Sequence, residues 1–329
     1  MKHLRNLCIL LCVFVLLAVV PYATKSEYFI NLLIMFFLYV TISESWNLLG
    51  GFTGQISLGH SAFFGMGVLV TRLLWMEKIP ILVATLAGGV SSTLLAGLVG
   101  VPCLRMKRGY FPIGTLALAI IAQITVGNIL PVPGSLPGEY LAGYSLSSRY
   151  LLALSIAVLT LVVVYGTVLS RTGLALVAIR DDEGAAEAMG VKTFGYKVKS
   201  LMISSFLAGL GGGVFAYHQV SYYYQSPFEL SWSFLPTLTT FIGGLGTIVG
   251  PVIGSVCFLA LNELFAITLG EIHLVIFGFT FVLIVLFVPG GLMSISESIR
   301  SVFRSLGVKG RPQVFRPKRG GGSHPEKEL

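Results

Sequence analysis

The chain has 329 residues, of which 55% are hydrophobic and 11% charged, with a mean hydropathy of +0.86 and a formal net charge of +8. Soluble domains carry roughly 45–50% apolar and about 25% charged residues, so the composition excludes an ordinary soluble fold and defines an integral membrane protein. The positive charge is not a nucleic-acid footprint, which would ask for a basic face on a soluble or tethered domain.

The chain opens with MKHLRNLCILLCVFVLLAVVPYA, which has the basic start and short apolar core of a signal peptide. No A-x-A cleavage site follows at 18–24, so the segment is read as a retained first span. Asp, Glu, Lys and Arg are absent from 6–24, 28–43, 45–71, 79–104, 109–138, 150–170, 200–228, 230–262 and 272–296. A helix needs about 20 apolar residues to cross a hydrocarbon core of roughly 30 Å, and most of these runs suffice. Short strands of alternating polarity, as a barrel would require, do not occur. The run 230–262 is too long for one helix and is interrupted by GGLGTIVGP at 243–251, which predicts two short helices around a Gly-rich bend. The expected fold is an all-α, polytopic transmembrane bundle of about ten spans, or nine, with discontinuous Gly-rich helices. It occupies residues 1–306, and the Gly-, Pro- and charge-rich tail 307–329 is predicted to be disordered.

Ten spans from a cytoplasmic N-terminus put Arg105, Lys107, Arg108, the segment 171–199 and the basic tail (Arg300, Arg304, Lys309, Arg311, Arg316, Lys318, Arg319) on one side. Excess Lys and Arg mark the cytoplasmic side, so N- and C-termini are both expected there. Cys8, Cys12, Cys103 and Cys257 lie in or beside apolar runs without metal-type spacing and are read as small core residues.

Many of the 39 glycines fall inside the apolar runs, often four apart, as at Gly209 and Gly213. This spacing lets helix backbones approach closely. In 50–67 and 243–254 the glycines are joined by polar residues or proline, which predicts interrupted helices, with breaks at Gly59, Gly243, Gly244, Gly246, Gly250 and Pro251. Irregular backbone at membrane depth must be buried in protein or line a cavity, and transporters place such breaks around the substrate path. Gln55, Ser57, His60, Ser61, Gln123, Asn128, Thr239 and Thr240 are therefore candidates for a path wall, with interhelical hydrogen bonding as the alternative. Charges in the spans are scarce. Glu44 is expected near the cytoplasmic end of the second span, and Glu263 and Glu271 near the far end of the ninth. A proton-driven carrier or voltage sensor would ask for more, so the pattern points to a passive pore or to a carrier powered from outside the bilayer. Neither His60 nor His218 has the partners of a metal site, and no catalytic residues are identified.

The segment 171–199, RTGLALVAIRDDEGAAEAMGVKTFGYKVK, is the charge-rich interruption of this apolar chain. Within it, DDEGAAEAMG has carboxylates at the start of an Ala-rich stretch and ends at Gly190, the signals that start and stop a short helix. Such a helix is either a solvated connector or a docking surface for a soluble partner.

The stretch LVAIRDDEGAAEAMGVKTFGYKVKSLMISSFLAGLGGGVFA resembles the cytoplasmic loop and following helix of LivM-type permeases, the membrane subunits of branched-chain amino acid ABC importers. WNLLGGFTGQISLGHSAFFGMG at 46–67, FIGGLGTIVGPVIGS at 241–255 and VPGGL at 288–292 are similar to other signatures of that family, in order across residues 30–295. Gly184 stands where the general E-A-A…G loop has Glu, and Gly290 where a basic residue is expected. The resemblance implies a translocation path for branched-chain or other small apolar amino acids, working by alternating access in the bacterial inner membrane. It also implies a second, LivH-like permease subunit, two cytoplasmic ATPase subunits and a periplasmic or lipid-anchored binding protein, with membrane lipid around the assembly. Glu183, Ala185, Ala186, Glu187, Gly190, Phe194 and Tyr196 then form the ATPase-coupling loop. No G-x-x-x-x-G-K-[ST] occurs, so ATP and Mg2+ are expected on the partner ATPases, with no cofactor on this chain and no enzyme activity of its own. Urea, short amides or another small organic solute are alternative cargo. An ATP-independent channel is the rival class, and an assembly scaffold a further one.

Overall fold

The computed structural model describes residues 16–24, 26–106, 109–131, 135, 144–269 and 291–293, with the backbone alone for 265–269. The start of the first span, the 272–296 run apart from 291–293, and the 307–329 tail lie outside the described residues. So does the evidence that would decide between nine and ten spans.

Every regular element among the described residues is helical. Residues 16–23 are helical and lead through Ser26, whose Oγ accepts from Phe29 N, into α1 (Glu27–Asn47). After a π turn (Leu48–Phe52) and a non-helical stretch come α2 (His60–Met76) and α3 (Ile81–Leu95), the latter extended by a second π turn (Ala96–Gly100) and α4 (Val101–Leu104). Then follow α5 (Phe111–Ile129), α6 (Leu146–Leu169), the short pair α7 (Arg171–Asp181) and α8 (Glu183–Ala188), and the long α9 (Thr193–His218). After these come α10 (Ser231–Gly243) and α11 (Gly250–Leu269), and residues 291–293 are again helical. Five segments are long and apolar enough to cross a membrane by length and composition: Glu27–Phe52, Ile81–Leu104, Phe111–Ile129, Leu146–Leu169 and Thr193–His218. The architecture is that of a polytopic helical membrane protein.

The helix α9 is the axis of the bundle, with 83% of its most apolar window buried against 22% for the peripheral α5. Its glycines make this possible. A Cβ on Gly67 of α2 would lie 2.3 Å from the Gly209 carbonyl oxygen, and one on Gly212 would lie 2.3 Å from that of Phe64. Glycine at these points lets α2 and α9 touch backbone to backbone, the packing that replaces a hydrophobic drive in lipid. On α3, Gly88 faces Gly67 and Thr71, while Ser92 Oγ donates to the Phe63 carbonyl at 2.6 Å. For Gly209 and Gly213 the geometry is thus that of close packing, against Ser92 and Thr85 respectively.

Glu44 stands near the end of α1 and is wholly buried, and the interruption follows at 53–59. One expectation is revised: the segment 171–199 is less a loop than two short helices, with Thr193 to Lys199 already the first turns of α9. The predicted pair of short helices around the 243–251 bend is present as α10 and α11.

A bulky residue at a backbone contact should unseat the bundle, whereas one facing open space should not. Gly67→Leu is expected to destabilise by at least the roughly 1–3 kcal/mol of an overpacked core. Gly166→Ala, where an added Cβ meets nothing within 4 Å, should be neutral or slightly stabilising. Thermal unfolding midpoints in one detergent compare the two.

Candidate functional site

The first interruption is stitched together from within the chain. Trp46 Nε1 donates to the Ser57 carbonyl at 2.8 Å, Thr53 Oγ1 to that of Leu48 at 2.9 Å, and Gln55 N to that of Leu49 at 3.0 Å. Ser200 of α9 adds a further bond to the Leu48 carbonyl at 3.2 Å and one to Thr53 Oγ1 at 2.8 Å. Carbonyls freed at the break are thus met by side chains, or by Gln55 N from the backbone, in keeping with what irregular backbone at membrane depth requires. Gly59 begins α2 where a Cβ would lie 2.2 Å from the Thr115 carbonyl oxygen.

The second interruption, at 244–249, is held by the end of α1. Asn47 Oδ1 accepts from Gly246 N at 3.0 Å and Asn47 Nδ2 donates to the Thr247 carbonyl at 2.8 Å. Thr247 Oγ1 in turn accepts from Gly250 N at 3.1 Å at the start of α11, next to Pro251. A Cβ on Gly243 would lie 1.7 Å from the Gly250 carbonyl oxygen, so α10 and α11 meet closely at their shared bend. Gly244 and Gly246 have φ of +138° and +70°, in the region that side chains disfavour.

Six of the eight path candidates are buried in this region. His60 Nε2 shares a hydrogen bond with Ser204 Oγ at 3.0 Å, and Ser204 donates to the Ser45 carbonyl at 2.6 Å. Ser61 N donates to Ser233 Oγ at 2.9 Å, and Thr239 Oγ1 pairs with Ser43 Oγ at 2.5 Å. Thr240 Oγ1 donates to the Pro236 carbonyl at 2.7 Å, bridging the helix at its internal proline. Gln55 and Ser57 are likewise buried. These residues tie α1, α2, α9 and α10 together in a polar seam. His60 Nδ1, Gln55 Nε2 and both Glu44 carboxylate oxygens are buried there without a protein partner. Gln123 and Asn128 stand apart on α5, half-buried and exposed respectively. Among the described residues, no group of three His, Cys, Asp or Glu comes together in the manner of a metal site.

At one end of α9 lies the charged segment. Asp182 caps α8, accepting from Ala185 N at 3.0 Å, and Gly190, at φ +85°, closes it. Glu183 pairs with Lys197, and Glu187 Oε1 accepts from Thr193 Oγ1 at 2.5 Å, so both acidic residues bind α8 to α9. Ala186 packs inward while Ala185, Glu187, Met189 and Gly190 face outward. Beside them a cavity of about 510 Å³ opens between Arg171, Leu174, Ala178, Gly190, Lys192 and Tyr196. Phe194 is exposed, with the Arg105 guanidinium 5.7 Å from its ring centroid.

The sequence had singled out neither Asn47 nor Arg180. Arg180, in the last turn of α7, donates through Nη1 to the Gly51 carbonyl at 3.2 Å. It also missed Arg72 at the opposite end of α9, which is buried 4.8 Å from the Tyr222 ring centroid and donates through Nε to Tyr222 Oη at 3.2 Å. Burial pushes the Tyr222 phenol up to about 12 despite the opposing pull of Arg72, so it remains neutral at physiological pH. The presence of WN before LLGG and of a lone Arg before DDEG were the available signals.

A polytopic bundle with two interrupted helices sewn to each other, and a capped helix presented at one end, is the build of a membrane transport subunit. The profile of the branched-chain amino acid transport system permease component matches residues 28–285, and the chain belongs to that family. It is 24% identical over 307 residues to the high-affinity branched-chain amino acid transport system permease protein LivM of Salmonella typhimurium, covering 82% of this chain and 70% of that one. The LivM protein of Escherichia coli is also 24% identical, over 79% of this chain and 68% of its own length. A probable branched-chain amino acid transport permease protein LivM of Methanocaldococcus jannaschii is 22% identical over 63% of this chain and 59% of its own.

Removing Asn47 deprives the 244–249 bend of two partners at once, whereas removing Ser204 loosens one seam. Asn47→Leu is expected to cost about 1–3 kcal/mol for each buried backbone group left unsatisfied. Ser204→Ala should cost about 0.6 kcal/mol, the average for interhelical hydrogen bonds in a membrane bundle. Equal losses of thermal stability in the two variants would contradict the assignment.

Proposed function

We propose that the chain is the permease subunit of an ATP-binding cassette importer in the bacterial inner membrane, moving branched-chain or other small apolar amino acids by alternating access. Its expected companions are a second, LivH-like permease, two cytoplasmic ATPases that use ATP and Mg2+, and a binding protein on the far side. The observation that carries the reading is the α7–α8 pair. It presents a capped helix and an open cavity outside the bundle, yet is fastened to the central α9 through Glu183–Lys197 and Glu187–Thr193. A surface that is both free to dock and rigidly joined to the axis of the bundle suits a partner that supplies motion. The concentration of Lys and Arg at this end supports a cytoplasmic orientation. The path itself is assigned to the polar seam around Gln55, Ser57, His60, Ser61, Thr239 and Thr240, where unpartnered buried groups would meet cargo in another state; Gln123 and Asn128 remain candidates at the periphery. Relatives named for branched-chain amino acid transport support the choice of cargo.

In membranes carrying all the subunits, Gly190→Arg and Glu187→Lys are each expected to lower ATPase recovery with this chain by about tenfold or more, the equivalent of 1.4 kcal/mol. The amount of inserted chain should be unchanged. Wild-type recovery and uptake in both variants would refute the docking role. ATP-independent solute flux through vesicles containing this chain alone would favour the channel reading instead.

A further inference from the structure

Among the described residues, Arg180 makes a polar contact from α7 to the junction at which the two interrupted helices meet. Gly51 and Gly246 meet backbone to backbone: a Cβ on Gly51 would lie 2.7 Å from Gly246 N, and one on Gly246 would lie 3.0 Å from the Gly51 oxygen. Onto this junction comes the guanidinium of Arg180, with Nη1 3.2 Å from the Gly51 carbonyl oxygen. The same Nη1 would be only 2.5 Å from a Cβ on Gly246, so the absence of a side chain there is what lets the guanidinium in. Asn47 closes the arrangement by binding Gly246 N and the Thr247 carbonyl.

Arg180 stands two residues before Asp182, the cap of α8, and its Nε lies 3.3 Å from Asp181 Oδ1. It is thus anchored at the proposed docking surface while its tip rests on the seam of the two breaks. A guanidinium stays charged at any working pH, and its hydrogen bond to a carbonyl is charge-assisted and directional. We infer that Arg180 is the positioning residue that carries displacement of the α7–α8 pair into the junction of the two interrupted helices, so that both breaks shift together when the docked partner moves. This rests on the reading of Glu183 to Tyr196 as an ATPase-docking surface. In a two-state transporter such a contact sets how strongly ATP use at one end biases the path at the other. The proposed ATPase contact, Glu183 to Tyr196, begins after Arg180, and Arg180 does not line the cavity beside Gly190.

The test uses the whole importer reconstituted in vesicles, with ATP hydrolysis and uptake of a branched-chain amino acid measured in the same preparation. Arg180→Ala and Arg180→Gln should keep the ATPase subunits bound and hydrolysis within about twofold of wild type, while uptake per ATP falls by about 5- to 150-fold, the usual range of coupling between sites. Arg180→Lys, which keeps the charge and loses the fork, should recover part of that ratio. An unchanged ratio of uptake to hydrolysis in Arg180→Ala would overturn the inference. Loss of uptake with the ratio preserved, and with no recovery in Arg180→Lys, would reduce Arg180 to a fold-supporting role and overturn it as well. The docking reading fails separately, if the ATPase stays bound to the Gly190→Arg chain.

Discussion

Inside a bilayer no water is present to satisfy a broken helix, and the architecture of this protein follows from how it meets that constraint. A continuous helix satisfies its own backbone, but the chain departs from helix at 53–59 and again at 244–249. Each departure frees carbonyl and amide groups that would cost several kcal/mol if left bare in hydrocarbon. The chain supplies Trp46, Thr53 and Ser200 to the first break and Thr247 to the second. Asn47, at the end of α1, supplies two more bonds to the second. Irregular backbone is possible here because it is enclosed by a shell of hydroxyl and amide donors on neighbouring helices.

Such a shell works only if the helices stand close, and glycine sets that distance. With Gly67 against Gly209 and Gly212 against Phe64, α2 and α9 touch through their backbones. Short side chains such as Ser92 and Ser204 can then reach across to carbonyls on the adjoining helix. Close packing also makes α9 a stiff element, buried for most of its length and joined at one end to α8 by two acidic residues. At its other end Arg72 donates to the Gln219 carbonyl and stacks near Tyr222 and Trp75. The central helix is thus fastened at both ends.

What the sequence made legible and what it concealed divide along the range of the interactions. The cap of α8 was readable because Asp182, Glu183 and Gly190 act on their immediate neighbours. The two breaks were readable from clustered glycine and from Pro251, again local signals. The placing of Glu44 near the end of α1 was readable too, but its complete burial was not, since that depends on neighbours far away in the chain. The polar residues of the seam could be listed from the sequence, but their pairings bridge long separations, as in Ser43 with Thr239 and Ser61 with Ser233. Nothing local distinguishes His60, whose Nε2 meets Ser204, from Asn128, which faces out of the bundle on α5. Asn47 and Arg180 were overlooked for the same reason: their partners lie 199 and 129 residues away.

The bonds from Asn47 have a mechanical consequence. Asn47 ends α1, just before the first break, and both of its polar atoms serve the second, at Gly246 N and the Thr247 carbonyl. If the 244–249 bend were held only by its own side chains, it could shift while α1 stayed, and intermediate arrangements would be cheap. As it is, moving the bend away from α1 strands a buried donor and acceptor, at about 1–3 kcal/mol for each group left unpaired. The low-energy motions are then those that carry α1, the 244–249 bend and the start of α11 as a unit. Packed interiors with discrete hydrogen-bond sets tend to be bistable and not continuously deformable. Two distinct arrangements of the broken helices, with little population between them, are what a carrier needs if its path is never to be open at both ends.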